Sequence, residues 1–342
     1  MLLAQLRRVL LPASHNLSRT SNSLSKRTIV YFPGSGLPPV PILRPTVWAL
    51  AATATIYIGC AAYDVRRDVR DAKRRGAFKD GSVSSYEDLE DAKHRKYNWH
   101  LTSHRNSTSK WELPGQIGVM LSGYNDAEKL VLGAVALNIA LAGASYFAPG
   151  PLMQYFVHIP AYSPNYTLLT SSFGHSGLFH VAVNSLVMLQ LGPIVASSPI
   201  FEGNGSHFAA FYLSAGILSA LGEQLATTLP TPSYRLRRLT MSLGSSGVIM
   251  AMLGVYVTTE PDMMVNTIFP LGSYPLRNIV AVMATFHLIG LLARIPYLHF
   301  AHAQHLAGLG MGIAYSYYEG KKYVWRPSRR FAFNCMKRLN IV

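Results

Sequence analysis

Seven apolar segments, one standing alone and six following in succession, constrain the fold of this chain more than any other feature. A hydrocarbon layer is about 30 Å thick, and a helix needs about 20 apolar residues to cross it. Backbone N–H and C=O groups in lipid must be paired within their own segment, so we expect each segment to be an α-helix. The segments lie at 45–63, 129–147, 176–198, 207–228, 243–258, 276–296 and 301–318. The sequence therefore predicts an all-α, polytopic membrane protein with one extra N-terminal transmembrane helix before a core of six.

The charges of the chain are placed as in a membrane protein. Soluble domains usually have about 25% charged residues, whereas this chain has 14% and is 49% hydrophobic. Its net charge of +15 comes from Lys and Arg that flank the apolar segments, where they set topology and meet anionic lipid headgroups. We therefore expect a lipid bilayer, and no nucleic acid, as its partner. Basic residues flank the helices on both sides, so the orientation stays open.

The N-terminal residues have the composition of a mitochondrial targeting sequence. No Asp or Glu precedes Asp64, and Arg and Ser recur through the first 28 residues. This composition is typical of a transit peptide, with a disordered basic tail as the alternative. The predicted regions are a transit peptide at 1–28, a linker at 29–44, the extra helix at 45–63, a hydrophilic connection at 64–126, the six-helix core at 127–320 and a basic C-terminal tail at 321–342.

Two polar stretches connect predicted helices. Residues 64–126 mix acids and bases, so we expect a solvated loop or surface helix, in which the acids within 87–91 form a solvated face. Residues 259–275 contain three prolines and a glycine, and we expect this loop to form a cap over a site.

Ser246, in Gly244-Ser245-Ser246-Gly247 at the start of an apolar segment, is the candidate nucleophile. A serine hydroxyl becomes nucleophilic when a neighbouring base accepts its proton. The glycines permit a tight turn, and the Ser246 N–H near a helix N-terminus is placed to face a developing oxyanion. As the alternative, Ser and Gly are ordinary packing residues between membrane helices.

His305 is the candidate general base, because a neutral imidazole accepts a proton near neutral pH. Gly308 and Gly312 lie on one side of its helix and permit close approach of the Ser246 helix. The segment 301–318 contains no acid, which favours a Ser–His dyad over a triad. The alternative is a packed histidine beside a small-residue motif.

His180 and Asn184 are one helical turn apart, so their side chains point the same way. Both can donate hydrogen bonds to an oxyanion in a shared cavity. The alternative is a hydrogen-bonded pair that only holds helices together. His175, five residues before His180, is interpreted as structural.

Three further polar residues lie in apolar segments. Glu223 and Gln224 come near the end of 207–228, and we interpret them as its interfacial boundary. His287 lies in the middle of 276–296 and is expected to be a buried, hydrogen-bonded histidine.

The histidines do not form a zinc motif. His175, His180, His302 and His305 are numerous enough to ligate a metal ion, but the chain has no H-E-x-x-H sequence and no thiolate pair. We therefore expect no metal and no cofactor.

Three motifs together resemble the rhomboid family of intramembrane serine proteases. They are FGHSGLFHVAVN at 173–184, GSSGVIMAMLG at 244–254 and HAQHLAGLGMG at 302–312. The extra helix and the transit-like leader resemble the mitochondrial, presenilin-associated rhomboid-like branch, with its one-plus-six arrangement. The resemblance implies Ser246 as nucleophile and His305 as base.

The resemblance also implies His180 and Asn184 as oxyanion-hole side chains. It implies a multi-pass protein of the mitochondrial inner membrane whose substrates are single-pass membrane proteins, either dynamin-like GTPases or imported precursors. The chain departs from the family pattern in three places. Gln304 and Ala307 replace an alanine and a glycine around His305, Met250 replaces an aromatic residue of the bacterial members, and the Trp-Arg pair of the bacterial first loop has no match in 148–175. A catalytically inactive membrane scaffold or chaperone with the same fold is the alternative. A transporter or channel is disfavoured, because no internal repeat is apparent.

Overall fold

The computed structural model describes residues 39–78, 83–93, 121–231, 237–267, 271–293 and 301–342. The predicted transit peptide at 1–28 and most of the predicted linker at 29–44 lie outside these ranges. The described part of the chain is built from helices and one short hairpin.

We number the elements in chain order. The α-helices are α1 Leu43–Arg74, α2 Asp126–Phe147, α3 Pro149–Phe156, α4 Thr167–Thr170, α5 Leu178–Ala196, α6 Gly205–Ala226, α7 Ser246–Thr259, α8 Leu276–Leu292, α9 His302–Tyr317 and α10 Arg326–Arg338. Residues 86–93 are also helical, Ser171–Phe173 forms a 3-10 turn and Lys321–Trp325 a π-helical turn. Strand β1 Met264–Thr267 pairs antiparallel with β2 Gly272–Pro275.

Four described helices, α1, α2, α5 and α6, are long and apolar enough to cross a membrane, while α7 and α8 are shorter apolar helices. The predicted all-α, polytopic membrane class is confirmed. Two of the long helices begin at side-chain caps. Asn125 and Glu128 cap each other's backbone N–H groups at 2.8 Å at the start of α2, and Asn204 accepts from the His207 N–H at 2.9 Å in α6. A cap of this kind stabilises a helix by about 1 kcal/mol, which fixes where each begins.

The long helices alternate in direction, which gives the bundle two faces. At the serine face (the ends at Pro41, Gln224 and Ser246), the Gln224 amide donates to the Pro41 carbonyl at 2.7 Å. At the far face (the ends at Arg67 and Asp126), these two side chains form an ion pair at 2.5 Å. The chain therefore enters α1 at the same face as the candidate nucleophile.

The β1–β2 hairpin joins the end of α7 to the start of α8 at the far face. Helix α7 has 14 residues and rises about 1.5 Å per residue, so the hairpin lies roughly 20 Å from Ser246. The expectation that this loop caps the site is therefore wrong for its described residues, 259–267 and 271–275.

A buried arginine joins the last helix to the first at the far face. Arg329 of α10 is 2% exposed and pairs with Asp64 of α1 and, at 2.8 Å, with Glu90. Burial lowers the pKa of Arg329 to about 10, which leaves it charged at neutral pH. The predicted basic tail at 321–342 is thus a packed helix. The acids within 87–91, expected to form only a solvated face, include a partner of this buried cation.

Candidate active site

The structure brings the candidate nucleophile and base together at the serine face. Ser246 is the first residue of α7, and His305 lies in the first turn of α9. The Ser246 Oγ and His305 Nε2 atoms are 2.7 Å apart, within the 2.6–3.2 Å or so that proton transfer to a general base requires. Both residues are partly exposed, whereas the neighbouring Ser245 and Gly247 are buried. The hydroxyl and the imidazole are therefore accessible, while the turn that carries Ser246 is packed.

Glycines set the distance between α7 and α9. A Cβ atom on Gly308 would overlap the Gly247 carbonyl oxygen, and one on Gly312 would overlap the Ala251 carbonyl oxygen. The two backbones are therefore in direct contact, as small residues permit between membrane helices. This contact brings the imidazole of His305 within hydrogen-bond reach of Ser246.

The turn before Ser246 lies against the two candidate oxyanion side chains. Gly244 has a φ of +112°, a conformation that side chains with a Cβ rarely adopt. A Cβ at Gly244 would also lie only 2.9 Å from His180 Nε2 and 3.3 Å from Asn184 Nδ2. His180, Asn184 and the Ser246 turn therefore converge at one place, as the helical spacing predicts.

The hydrogen bonds of His180 use one ring nitrogen and leave the other as a donor. Its Nδ1 atom lies 3.4 Å from the Ser176 backbone N–H and 3.1 Å from the Ser176 hydroxyl. A backbone N–H only donates, so Nδ1 accepts and the hydrogen of the neutral ring lies on Nε2. Of the two ring nitrogens, Nε2 is the closer to Gly244, so His180 donates toward the turn that carries Ser246.

His175 holds the second oxyanion side chain. Its Nδ1 lies 3.2 Å from the Phe173 carbonyl oxygen, which only accepts, so Nε2 is free to accept one amide hydrogen from Asn184 at 3.2 Å. Burial, and secondarily the nearby His180, lower the pKa of His175 to about 4, so the ring is neutral at pH 7. The second amide hydrogen of Asn184 remains for an oxyanion. His175, interpreted as structural, therefore orients a candidate catalytic residue.

Glu223 and Gln224, interpreted from the sequence as an interfacial boundary, are buried instead. The Glu223 carboxylate accepts from the Gln304 backbone N–H at 3.1 Å. Helix α9 has no side-chain cap from its own N-cap residue, Ala301, and the Glu223 side chain supplies an acceptor for one of the N–H groups that the first turn leaves unpaired. Glu223 thus holds the turn that carries His305. An acid within an apolar segment was the available signal, since such a group needs a partner.

His158 anchors the connection between α3 and α4 to the active-site turn. Its backbone pairs in both directions with Ser242, two residues before Gly244, at 3.0 and 2.8 Å. The buried imidazole lies 2.8 Å from both Thr167 Oγ1 and Gln224 Oε1. Burial lowers the pKa of His158 to about 4, so the ring is neutral as it bridges these groups.

The departures at Ala307 and Met250 leave the Ser246–His305 contact intact. The Ala307 methyl group lies against Gly222, where a second Cβ would overlap it, so the α6–α9 contact accommodates the alanine. Met250 is buried, and the ring that packs on His305 is His287, with centroids 4.4 Å apart and planes at 81°. His287 is buried and hydrogen-bonded, as predicted. Across the described ranges, no group of three or more His, Cys, Asp or Glu is arranged to hold a metal ion.

Comparison with known proteins gives one family and a set of mitochondrial relatives. The family model described as the rhomboid domain matches residues 163–322. Presenilin-associated rhomboid-like protein A, mitochondrial, of Danio rerio is 29% identical over 210 residues, covering 60% of this chain and 51% of that protein. The presenilin-associated rhomboid-like proteins, mitochondrial, of Mus musculus and Homo sapiens are each 29% identical over 219 residues, covering 62% of this chain and 54% and 53% of theirs. The chain spans about half the length of the curated relatives it matches.

Proposed function

We propose that this chain, whose residues 163–322 match the rhomboid domain family model, is a serine endopeptidase that cleaves the transmembrane segments of single-pass membrane proteins in the mitochondrial inner membrane. The observation that carries the proposal is the 2.7 Å contact between Ser246 Oγ and His305 Nε2. The mitochondrial relatives and the transit-like leader support the location.

The length of α7 supports cleavage below the membrane surface. Its 14 residues span about 21 Å, whereas the hydrocarbon core is about 30 Å thick. When the end of α7 at Thr259 lies at one interface, Ser246 lies several ångströms inside the other. A substrate helix is thus attacked within the bilayer, and water reaches Ser246 from the serine face.

The reaction is acyl transfer to serine. His305 accepts the Ser246 proton through Nε2 while Oγ bonds to the scissile carbonyl carbon and the C=O electron pair moves to oxygen. The oxyanion accepts hydrogen bonds from His180, Asn184 and the Ser246 N–H, which has no partner within its own helix. His305 then protonates the leaving amine, and water hydrolyses the acyl-enzyme by the same path.

The substrate must unwind before it is cut, because every backbone group of a membrane helix is paired. Helix-breaking or small residues near the cleavage site therefore promote cleavage. Following the family resemblance, the substrates are dynamin-like GTPases or imported precursors with a hydrophobic sorting segment. Indifference of the rate to strong helix formers at the cut site would contradict this requirement.

The test is cleavage of a tagged single-span substrate in liposomes by the wild type, Ser246→Ala and His305→Ala. We expect cleavage by the wild type alone, with all three proteins equally folded by thermal denaturation. Equal, background cleavage by all three with several substrates would instead favour a membrane scaffold. Full activity of His305→Ala alone would eliminate the dyad.

A further inference from the structure

The second ring nitrogen of His305 leads into a chain of histidines. His305 Nδ1 lies 3.1 Å from Nε2 of His287 on α8. His287 Nδ1 in turn lies 3.0 Å from Nδ1 of His302, one helical turn before His305 on α9. Together with the Ser246–His305 contact, these hydrogen bonds link Ser246 to three imidazoles in succession. All four residues lie in segments that the sequence predicts to be membrane-embedded.

Two opposite placements of hydrogens satisfy the contacts in this chain, and activation of the serine selects one of them. Activation of Ser246 requires His305 Nε2 to accept the hydroxyl hydrogen, so the hydrogen of the neutral ring lies on Nδ1 and donates to His287. His287 then carries its own hydrogen on Nδ1 and donates it to His302. Each ring fixes the tautomer of the ring before it.

The helix faces are shaped for this arrangement. His302 and His305 share one face of α9, and His287 and Gly290 share one face of α8, each three residues apart. A Cβ atom on Gly290 would overlap the His302 ring. The bare backbone of α8 at Gly290 therefore admits His302 beside His287.

We propose that His287 is a positioning residue for catalysis. It is a neutral imidazole that orients His305, and His302 orients His287 in the same way. This inference rests on the proposed protease function. As Ser246 gives its proton to His305 Nε2, the lone pair of His287 Nε2 accepts a hydrogen bond from the Nδ1–H of the resulting imidazolium. This hydrogen bond lasts until the proton on His305 Nε2 passes to the leaving amine. A carboxylate in this position would be an ionised group at membrane depth, which is costly. A neutral imidazole supplies the acceptor without that charge.

The test compares His287→Leu, which removes the acceptor, with His287→Gln, whose amide oxygen restores it. We expect kcat for substrate cleavage to fall about 10- to 100-fold in the leucine variant at unchanged KM, the effect of one hydrogen bond to a charged group. The glutamine variant should recover most of that loss. Nitrogen-15 NMR of histidine-labelled protein should show His305 protonated on Nδ1 in the wild type and mixed tautomers in His287→Leu.

A matched control is His207→Leu, which removes another buried histidine, hydrogen-bonded to the Tyr315 hydroxyl at 2.6 Å near the far face. It should lower stability but preserve the rate per folded enzyme and the His305 tautomer. An unchanged rate and tautomer in His287→Leu would overturn the proposal, as would equal losses in the leucine and glutamine variants. If the wild type neither cleaves substrate nor reacts with a fluorophosphonate at Ser246, the protease function fails, and the NMR tautomer alone decides the role of His287.

Discussion

Protonation of His158 should loosen the connection that reaches the active-site turn. In the folded protein, burial lowers the pKa of His158 from 6.5 to about 4. The unfolded chain therefore takes up this proton first as the pH falls, so the stabilisation is present above pH 6.5 and is lost as the pH drops toward 4. One unit of difference between the pKa values of the folded and unfolded states is worth about 1.4 kcal/mol. Between pH 7 and pH 4.5, the free energy of unfolding should fall by about 2 to 3 kcal/mol from His158 alone.

The assay is the free energy of unfolding in bicelles by steric trapping, for wild type and His158→Gln, at pH 7 and at pH 4.5. Other buried histidines, including His175, titrate in both proteins and cancel in the difference. We expect the wild type to lose about 2 to 3 kcal/mol more than the variant over this interval, whatever the variant costs at pH 7. An equal pH dependence in the two proteins would refute the reasoning that burial keeps His158 neutral.

Three further predictions concern Asn184, Gly308 and Arg329. Asn184→Ala should lower kcat about 10²- to 10³-fold as the loss of one oxyanion donor; a lower melting temperature with an unchanged rate per folded enzyme would make Asn184 structural. Gly308→Val should cost about 1–3 kcal/mol of stability by pushing α7 from α9, while Gly310→Val, at a position with nothing within 4 Å, should cost little; equal melting temperatures would contradict the direct backbone contact. Arg329→Met should cost about 1.5–3 kcal/mol, because it removes a 2% exposed cation that contacts Asp64, Asp68 and Glu90 while Asp64 keeps Arg67 and Asn204 as partners; the exposed pair lost in Arg330→Met should cost at most about 1 kcal/mol, and similar unfolding free energies would refute the burial argument.

The helices and the family were accessible from the sequence because both depend on local pattern. Apolar length predicts α1, α2, α5 and α6, and the rhomboid resemblance of the motifs at 173–184, 244–254 and 302–312 is confirmed by the family model and the mitochondrial relatives. The position of the hairpin was also accessible, since a loop that follows the end of α7 lies opposite the residue that begins it.

The contacts that orient the site could not be predicted, because their partners are distant in sequence. Glu223 caps a helix whose first turn comes 81 residues later, and nothing in its own segment indicates which N-terminus it meets. For His287 the sequence likewise predicts only a buried histidine. Its partners His302 and His305 are identified once α8 is placed beside α9. Burial of an unaccompanied polar residue predicts that a partner exists, and only the packed helices identify it.

The Arg329–Asp64 pair has a consequence for how the protein is made. The two residues are 265 positions apart, so the first membrane helix has been synthesised long before its buried carboxylate can meet the guanidinium. During translation Asp64 already has a counter-charge on its own helix in Arg67, which lies 3.1 Å away in the folded protein. The contacts at the two ends of α1, with Asp126 and Gln224, can form first, and the Arg329 pair can form only after the last helix has been synthesised.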